Sequence, residues 1–231
     1  VPWTLHQGDC LDVMRAMPDN SFDAVVTDPP YGIGFMYGSE KDVARSADEY
    51  REWLRPRYLE MQRVLRPGGF MALWQAQLYF PHFWDWFGPG IHIYCAAKNF
   101  VQLRQTPINY GYDPVVMLYK PGAAPLRPRT PPRNIDFYVA NTASIVADKT
   151  RIEKAHPCPR PLDQVREIVR NFAIPNGTIL DPFAGSGTTL LAAVREGFDA
   201  VGIEKDAHYC DIIRQRMGAE LPLFGSQEAD A

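Results

Sequence analysis

Short apolar runs alternate along this chain with stretches in which apolar residues recur every three or four positions. The runs predict strands over residues 3–7, 24–27, 70–74, 91–96, 114–119, 178–180 and 200–203. Helices are expected between them. Tyr50, Trp53, Leu54, Met61 and Leu65 form one helical stripe, opened by Ser46 with Glu49 three residues on, the pairing of a capping box, and a kink is expected at Pro56. A second helix is expected over 162–172, and a third from Leu190, Leu191 and Val194. The aromatic cluster Tyr79, Phe80, Phe83, Trp84, Trp86 and Phe87 reads as core or interface rather than a base-stacking platform, because such stripes bury against a sheet. Seven strands with interleaved helices and no internal repeat predict an α/β chain with a doubly wound, mainly parallel seven-stranded sheet.

Two of the predicted strand ends carry chemistry. The run Phe22-Asp23-Ala24-Val25-Val26-Thr27 ends in Asp28-Pro29-Pro30-Tyr31. Two prolines fix the backbone and remove two N–H donors, leaving the Asp28 carboxylate and the Pro29 carbonyl as acceptors for an exocyclic amino group. Tyr31 adds a flat face on which a base can stack. Farther along, Thr178-Ile179-Leu180-Asp181-Pro182-Phe183-Ala184-Gly185-Ser186-Gly187-Thr188-Thr189-Leu190 reads as strand, glycine turn and helix start. It lacks the third glycine of a dinucleotide fingerprint and the Gly-Lys-Ser/Thr of a P-loop, which argues against a pyrophosphate ligand. Glu204 follows Gly185 by nineteen residues at the end of the next strand, the place of an acid that grips ribose hydroxyls. The pair points to a nucleoside cofactor.

In these segments the chain resembles the DNA amino-methyltransferases that use S-adenosylmethionine. The resemblance implies a Rossmann-like methyltransferase fold with one antiparallel edge strand, in permuted order, the β class, because the Asp-Pro-Pro-Tyr segment precedes the Asp-Pro-Phe-x-Gly-x-Gly segment. It implies that Asp28, Pro29, Pro30 and Tyr31 hold the target base, and that Asp181, Phe183, Ala184, Gly185, Ser186, Gly187 and Thr188 hold the methionine part of the cofactor, with Glu204 and Lys205 beside its ribose. Gln7-Gly8-Asp9-Cys10 resembles the family's acidic turn next to the cofactor adenine, which brings in Asp9 and Cys10. Arg63-Val64-Leu65-Arg66-Pro67-Gly68-Gly69 resembles its helix-to-strand crossover. His156-Pro157-Cys158-Pro159-Arg160-Pro161-Leu162 resembles the segment entering the cofactor strand and adds His156. There Cys158 and Arg160 stand where the family typically carries threonine and lysine.

Aspartate at the head of Asp-Pro-Pro-Tyr favours adenine N6 as the methylated atom; cytosine N4, where serine is more usual, stays open, as does a non-catalytic DNA-binding regulator keeping the fold. Pro157-Cys158 resembles the proline-cysteine pair of cytosine-C5 enzymes, but that nucleophile would stand where this chain has Asp-Pro-Pro-Tyr. A target inside a duplex would have to be flipped into the pocket.

Length and charge refine this picture. A chain of 231 residues suits one methyltransferase domain, 1–231, and no positively charged start or membrane-length apolar run appears, so a cytoplasmic protein is expected. Four scattered cysteines argue against a disulfide framework or a zinc site. The net charge of −3 hides a basic stretch. Between residues 98 and 133, Lys98, Arg104, Lys120, Arg127, Arg129 and Arg133 face only Asp113. The resemblance puts a short target-recognition segment at 121–155, and its proline-rich start makes Arg127, Arg129 and Arg133 the candidate DNA contacts. Dimerisation, the recognition sequence and a companion restriction enzyme are left open.

Overall fold

Eight strands form one sheet in the computed structural model, which describes residues 2–34, 36–37, 40–98, 111–125, 137–140 and 160–224. In chain order they are β1 (Trp3–Gln7), β2 (Phe22–Thr27), β5 (Leu65–Trp74), β6 (His92–Lys98), β7 (Tyr112–Tyr119), β8 (Phe137–Ala140), β9 (Thr178–Asp181) and β10 (Asp199–Glu204). A separate two-residue ribbon, β3 (Met36–Tyr37) with β4 (Glu40–Lys41), follows the Asp-Pro-Pro-Tyr turn. The helices are α1 (Cys10–Ala16), α2 (Ala47–Val64), α3 (Phe83–Phe87), α4 (Leu162–Phe172), α5 (Thr188–Arg195) and α6 (Ala207–Phe224), with a 3₁₀ turn over Gln77–His82.

The sheet order is β1-β10-β9-β2-β5-β7-β6-β8. Strands β1, β10, β9, β2 and β5 are all parallel neighbours, so their carboxyl ends share one rim. Both faces are covered. Ala24 and Val26 of β2, with Phe70, Ala72 and Trp74 of β5, pack with α4 and α5; the alternate residues Val25, Met71 and Leu73 pack with α1 and α2. Burial on both faces is why these strands read as continuous apolar runs.

The sheet differs from the sequence expectation in two respects. It has eight strands rather than seven, because Phe137–Ala140 adds to the outer edge of β6 in parallel. Four residues in a polar, proline-rich neighbourhood carry too little alternation to read as a strand. The reversed strand also lies inside the sheet rather than at its edge: β7 runs antiparallel to both β5 and β6. Sequence-adjacent β6 and β7 pair antiparallel, and β7 takes the inner place.

Local signals held more closely. The Ser46 hydroxyl accepts from the Glu49 N–H at 3.3 Å while the Glu49 carboxylate accepts from the Ser46 N–H at 2.7 Å, closing the expected capping box, and α2 continues through Pro56. In the aromatic cluster Tyr79, Phe83 and Phe87 are buried, whereas Phe80 and Trp84 are exposed. Cys10, Cys95 and Cys210 are not joined in disulfides. Among the described residues no helix is long and apolar enough to cross a membrane, and no His, Cys, Asp and Glu cluster suits a metal. Of the segment 121–155, only 121–125 and 137–140 are described.

Candidate active site

Parallel pairing brings distant parts of the chain together at the rim. The Gly8 N–H, just past β1, donates to the Glu204 carbonyl at the end of β10 at 3.0 Å, and the Ala184 N–H, just past β9, donates to the Ile203 carbonyl at 3.0 Å. The Gly185 N–H then donates to Glu204 Oε2 at 2.8 Å, and the Asp206 N–H to Oε1 at 2.9 Å. Burial pushes the Glu204 carboxyl up, and these N–H groups pull against it. Gly185 and Gly187 have φ of 52° and 80°, the left-handed region that favours glycine. A Cβ at 187 would also stand 2.9 Å from Ile213 Cγ1 of α6.

Asp181 is only 3% exposed and is held by one side chain from a strand, one from a helix and a backbone N–H of its own turn. Thr27 Oγ1 donates to Asp181 Oδ1 at 2.6 Å, the Phe183 N–H donates to the same oxygen at 3.1 Å, and Thr189 bonds the carboxylate from α5. Burial nevertheless pushes its carboxyl up to about 6, above the ordinary 3.8. The Thr27 bond ties the glycine-turn strand to the strand that carries Asp28.

Asp28 is held differently. Arg160, at the approach to α4, donates Nε to Asp28 Oδ2 at 2.5 Å and Nη2 to Oδ1 at 3.0 Å, a bidentate fork. Its Nη1 donates to Asp113 Oδ2 at the start of β7, and Nη2 also reaches the Tyr31 hydroxyl. Tyr31 Oη donates to Asp28 Oδ1 at 2.6 Å. Burial is the largest influence pushing the Tyr31 phenol well above its ordinary range, so it stays a neutral donor. The Tyr31 carbonyl accepts from Tyr79 Oη at 2.8 Å, and Tyr79 stacks on Tyr50 with centroids 4.5 Å apart.

Other predicted residues take varied places. Asp9 caps α1, accepting from the Leu11 N–H at 2.9 Å, and pairs with Arg57 at 3.5 Å. Cys10 packs into the apolar layer beneath α1, where burial pushes its thiol up to about 12. Ser186 and Thr188 turn toward α6, where Arg216 Nη1 bonds both hydroxyls and the Ser186 carbonyl. Phe183 faces Trp53 with centroids 5.9 Å apart, and Lys205 is exposed. Arg127, Arg129, Arg133 and His156 lie outside the described residues. Lys120, part of the basic stretch, instead serves the fold: its Nζ donates to the Leu65 carbonyl at 2.6 Å and to Asn20 Oδ1 at 2.8 Å.

Several rim residues escaped the sequence reading. Asp113 stood out only as the lone acid of a basic stretch, and Arg160 only as a departure from lysine. Trp53, with Arg57 at 4.4 Å and Arg45 at 5.1 Å from its ring centroid, sits on a helix whose stripe looked wholly structural. Gln75, just past β5, is fully buried; its Oε1 accepts from Tyr50 Oη at 3.2 Å, while its Nε2 has no partner among the described residues.

The donor set suits a particular ligand. Asp9, Asp181 and Glu204 offer acceptors beside aromatic faces, whereas the nearby guanidiniums of Arg57 and Arg160 already face carboxylates. Such a rim fits a ligand with hydroxyls, an amino group and positive charge better than a pyrophosphate.

Comparison with known proteins agrees. The family model described as DNA methylase, that of the N6 and N4 methyltransferases, matches residues 22–100 and 92–215. YubD of Escherichia coli (strain K12), which carries the name of a methylase, is 30% identical over 216 residues, covering 92% of this chain and 89% of that protein. The type II methyltransferase M.ScaI of Streptomyces caespitosus is 29% identical over 256 residues, covering 94% and 81%. Two solved structures share the fold. The M1.HpyAVI–SAM complex matches with TM-score 0.68 at 20% identity over 93% of this chain and 98% of that one, and the cytosine-N4-specific PvuII DNA methyltransferase with TM-score 0.71 at 17% identity over 98% and 94%. The chain belongs to the N6/N4 DNA methylase family and is an S-adenosylmethionine-dependent DNA methyltransferase.

Proposed function

We propose that this enzyme methylates the exocyclic N6 of adenine, flipped out of duplex DNA, with Asp28, Pro29, Pro30 and Tyr31 as the base-holding turn. The observation that carries the reading is the acceptor pair at the end of β2, headed by aspartate and stripped of two N–H donors by proline. An exocyclic amine is a poor nucleophile because its lone pair is delocalised into the ring. Accepting its two N–H groups at Asp28 and the Pro29 carbonyl favours a pyramidal nitrogen, and catalysis is then largely positioning and electrostatics. The cofactor, when bound, supplies an electrophilic methyl on a sulfonium. Asp181, Phe183, Ala184 and the turn Gly185 to Thr188 hold its methionine part, Glu204 and Lys205 its ribose, and Asp9, the Cys10 backbone and His156 complete the pocket. The acceptor-rich rim and the left-handed glycines support that assignment.

Nucleoside mass spectrometry of DNA from a methylation-free host, incubated with enzyme and cofactor, tests the base. N6-methyladenine is expected; N4-methylcytosine alone would move the assignment to cytosine, and no methylated nucleoside would favour a DNA-binding regulator.

Sequence reading in this proposal falls to the segment 121–155, through Arg127, Arg129 and Arg133. Replacing all three with alanine is expected to make the slope of log affinity against log salt shallower by about 2.7 if each contacts one phosphate. An unchanged slope, affinity and sequence preference would move the DNA-binding surface elsewhere.

A further inference from the structure

Asp28 is not presented bare at the rim. Each carboxylate oxygen can accept two hydrogen bonds. Among the described residues Oδ1 receives two, from Tyr31 Oη at 2.6 Å and Arg160 Nη2 at 3.0 Å, whereas Oδ2 receives one, from Arg160 Nε at 2.5 Å. One acceptor position on Oδ2 is left. Arg160 is itself confined: its side chain is 17% exposed, Cζ lies 5.9 Å from the ring centroids of both Tyr31 and Trp74, and Nη1 is seated on Asp113.

We propose that Arg160 and Asp113 are positioning residues for methyl transfer, Arg160 fixing the plane of the Asp28 carboxylate so that its remaining Oδ2 position meets the target amino group, and Asp113 seating the guanidinium from its far side. The inference rests on the assignment of Asp28 to that amino group. Asp113 grips Nη1 while Asp28 takes Nε and Nη2, so the guanidinium is held at both ends and its plane sets that of the Asp28 carboxylate. Without Asp113, the Nη1 end of that guanidinium would lose its seat. The fork also explains why arginine suits this position: a lysine ammonium is a point charge and cannot hold both carboxylate oxygens in one plane while reaching a second carboxylate. Asp113 and Arg160 are 47 residues apart, and Asp28 and Arg160 are 132 apart, so only folding assembles the trio.

The test uses the full chain, S-adenosylmethionine, and genomic DNA from a methylation-free host, with single-turnover rate, cofactor affinity and DNA affinity measured separately. Arg160→Ala is expected to lower the single-turnover rate about a hundredfold, and Arg160→Lys and Asp113→Asn about tenfold. Both affinities should stay within about threefold. Added methylguanidine should restore rate to Arg160→Ala and not to Asp28→Ala. If Arg160→Ala fails to fold, Arg160→Lys and Asp113→Asn decide by the same split. A parental or faster rate in Arg160→Ala, or in the two conservative variants, overturns the proposal, as does a rate loss matched by cofactor affinity or untouched by methylguanidine. Asp28→Ala run in parallel separates the failures: if it turns over normally the base-holding assignment falls, and if it alone is inactive only the positioning role falls.

Discussion

Asp28 and Asp181 stand at the ends of neighbouring strands and are held by opposite means. Asp28 lies in the fork of a guanidinium, while Asp181 is buried among hydroxyls and an N–H, with no ion pair among the described residues. The consequence appears in Asp181, whose carboxyl is pushed up to about 6 because no cation repays its burial. A carboxylate left uncompensated in this way is suited to a ligand that brings its own positive charge, as S-adenosylmethionine does. A compensated one suits a neutral amino group that must be oriented rather than bound by charge. On the proposed assignment the rim separates cofactor attraction from base alignment.

The contrast breaks most visibly in catalysis. Asp28→Ala should lower the single-turnover rate by about a thousandfold while cofactor affinity stays within a few-fold, measured by rapid quench and by calorimetry. Loss of cofactor binding in that variant would show that the two carboxylates do not divide the work. Asp181→Ala should do the reverse, weakening cofactor binding by about a hundredfold through loss of a buried charged contact. Unchanged affinity by calorimetry would remove Asp181 from the cofactor site.

The pH dependence sharpens the comparison further. The native Asp181 carboxyl, at about 6 against an ordinary 3.8, binds its proton more tightly than the unfolded chain does. Its ionised form therefore costs stability above pH 6, about 3 kcal/mol, and that cost is relieved as pH falls from about 6 to about 4. Cofactor affinity should move oppositely, falling up to about tenfold per pH unit below 6 as the negative charge is lost. Calorimetry between pH 5 and 7.5 checks this, and Asp181→Asn should abolish the dependence. The smallest effect is expected from Thr27→Val, which keeps shape but removes the bond that helps hold Asp181 ionised. The onset of affinity loss should shift above pH 6, with a stability loss of about 1–2 kcal/mol in denaturant titration; an unshifted onset would mean that Thr189 and the Phe183 N–H suffice.

The amino-acid sequence by itself determined the strands that are buried on both faces, the helix opened by Ser46 and Glu49, and the proline and glycine turns at two strand ends. Each is local: a run of apolar residues, a three-residue capping spacing, a pair of prolines, glycines at left-handed positions. It also placed Asp28, Asp181 and Glu204 at strand ends, which is enough to put them on one rim once the strands are parallel neighbours. Only the tertiary structure decided what those carboxylates touch. The strand Phe137–Ala140 is too short to declare itself without the free edge of β6, and the reversed β7 lies inside the sheet because it pairs with the adjacent β6 on one side and with β5 on the other. Lys120 looked like part of a nucleic-acid face and instead holds the carbonyl of Leu65. Arg160 gave no sign of its three partners, because Asp28, Tyr31 and Asp113 are far from it in sequence. Ion pairs of that kind have no period and no motif; they exist only where the fold makes the distance short.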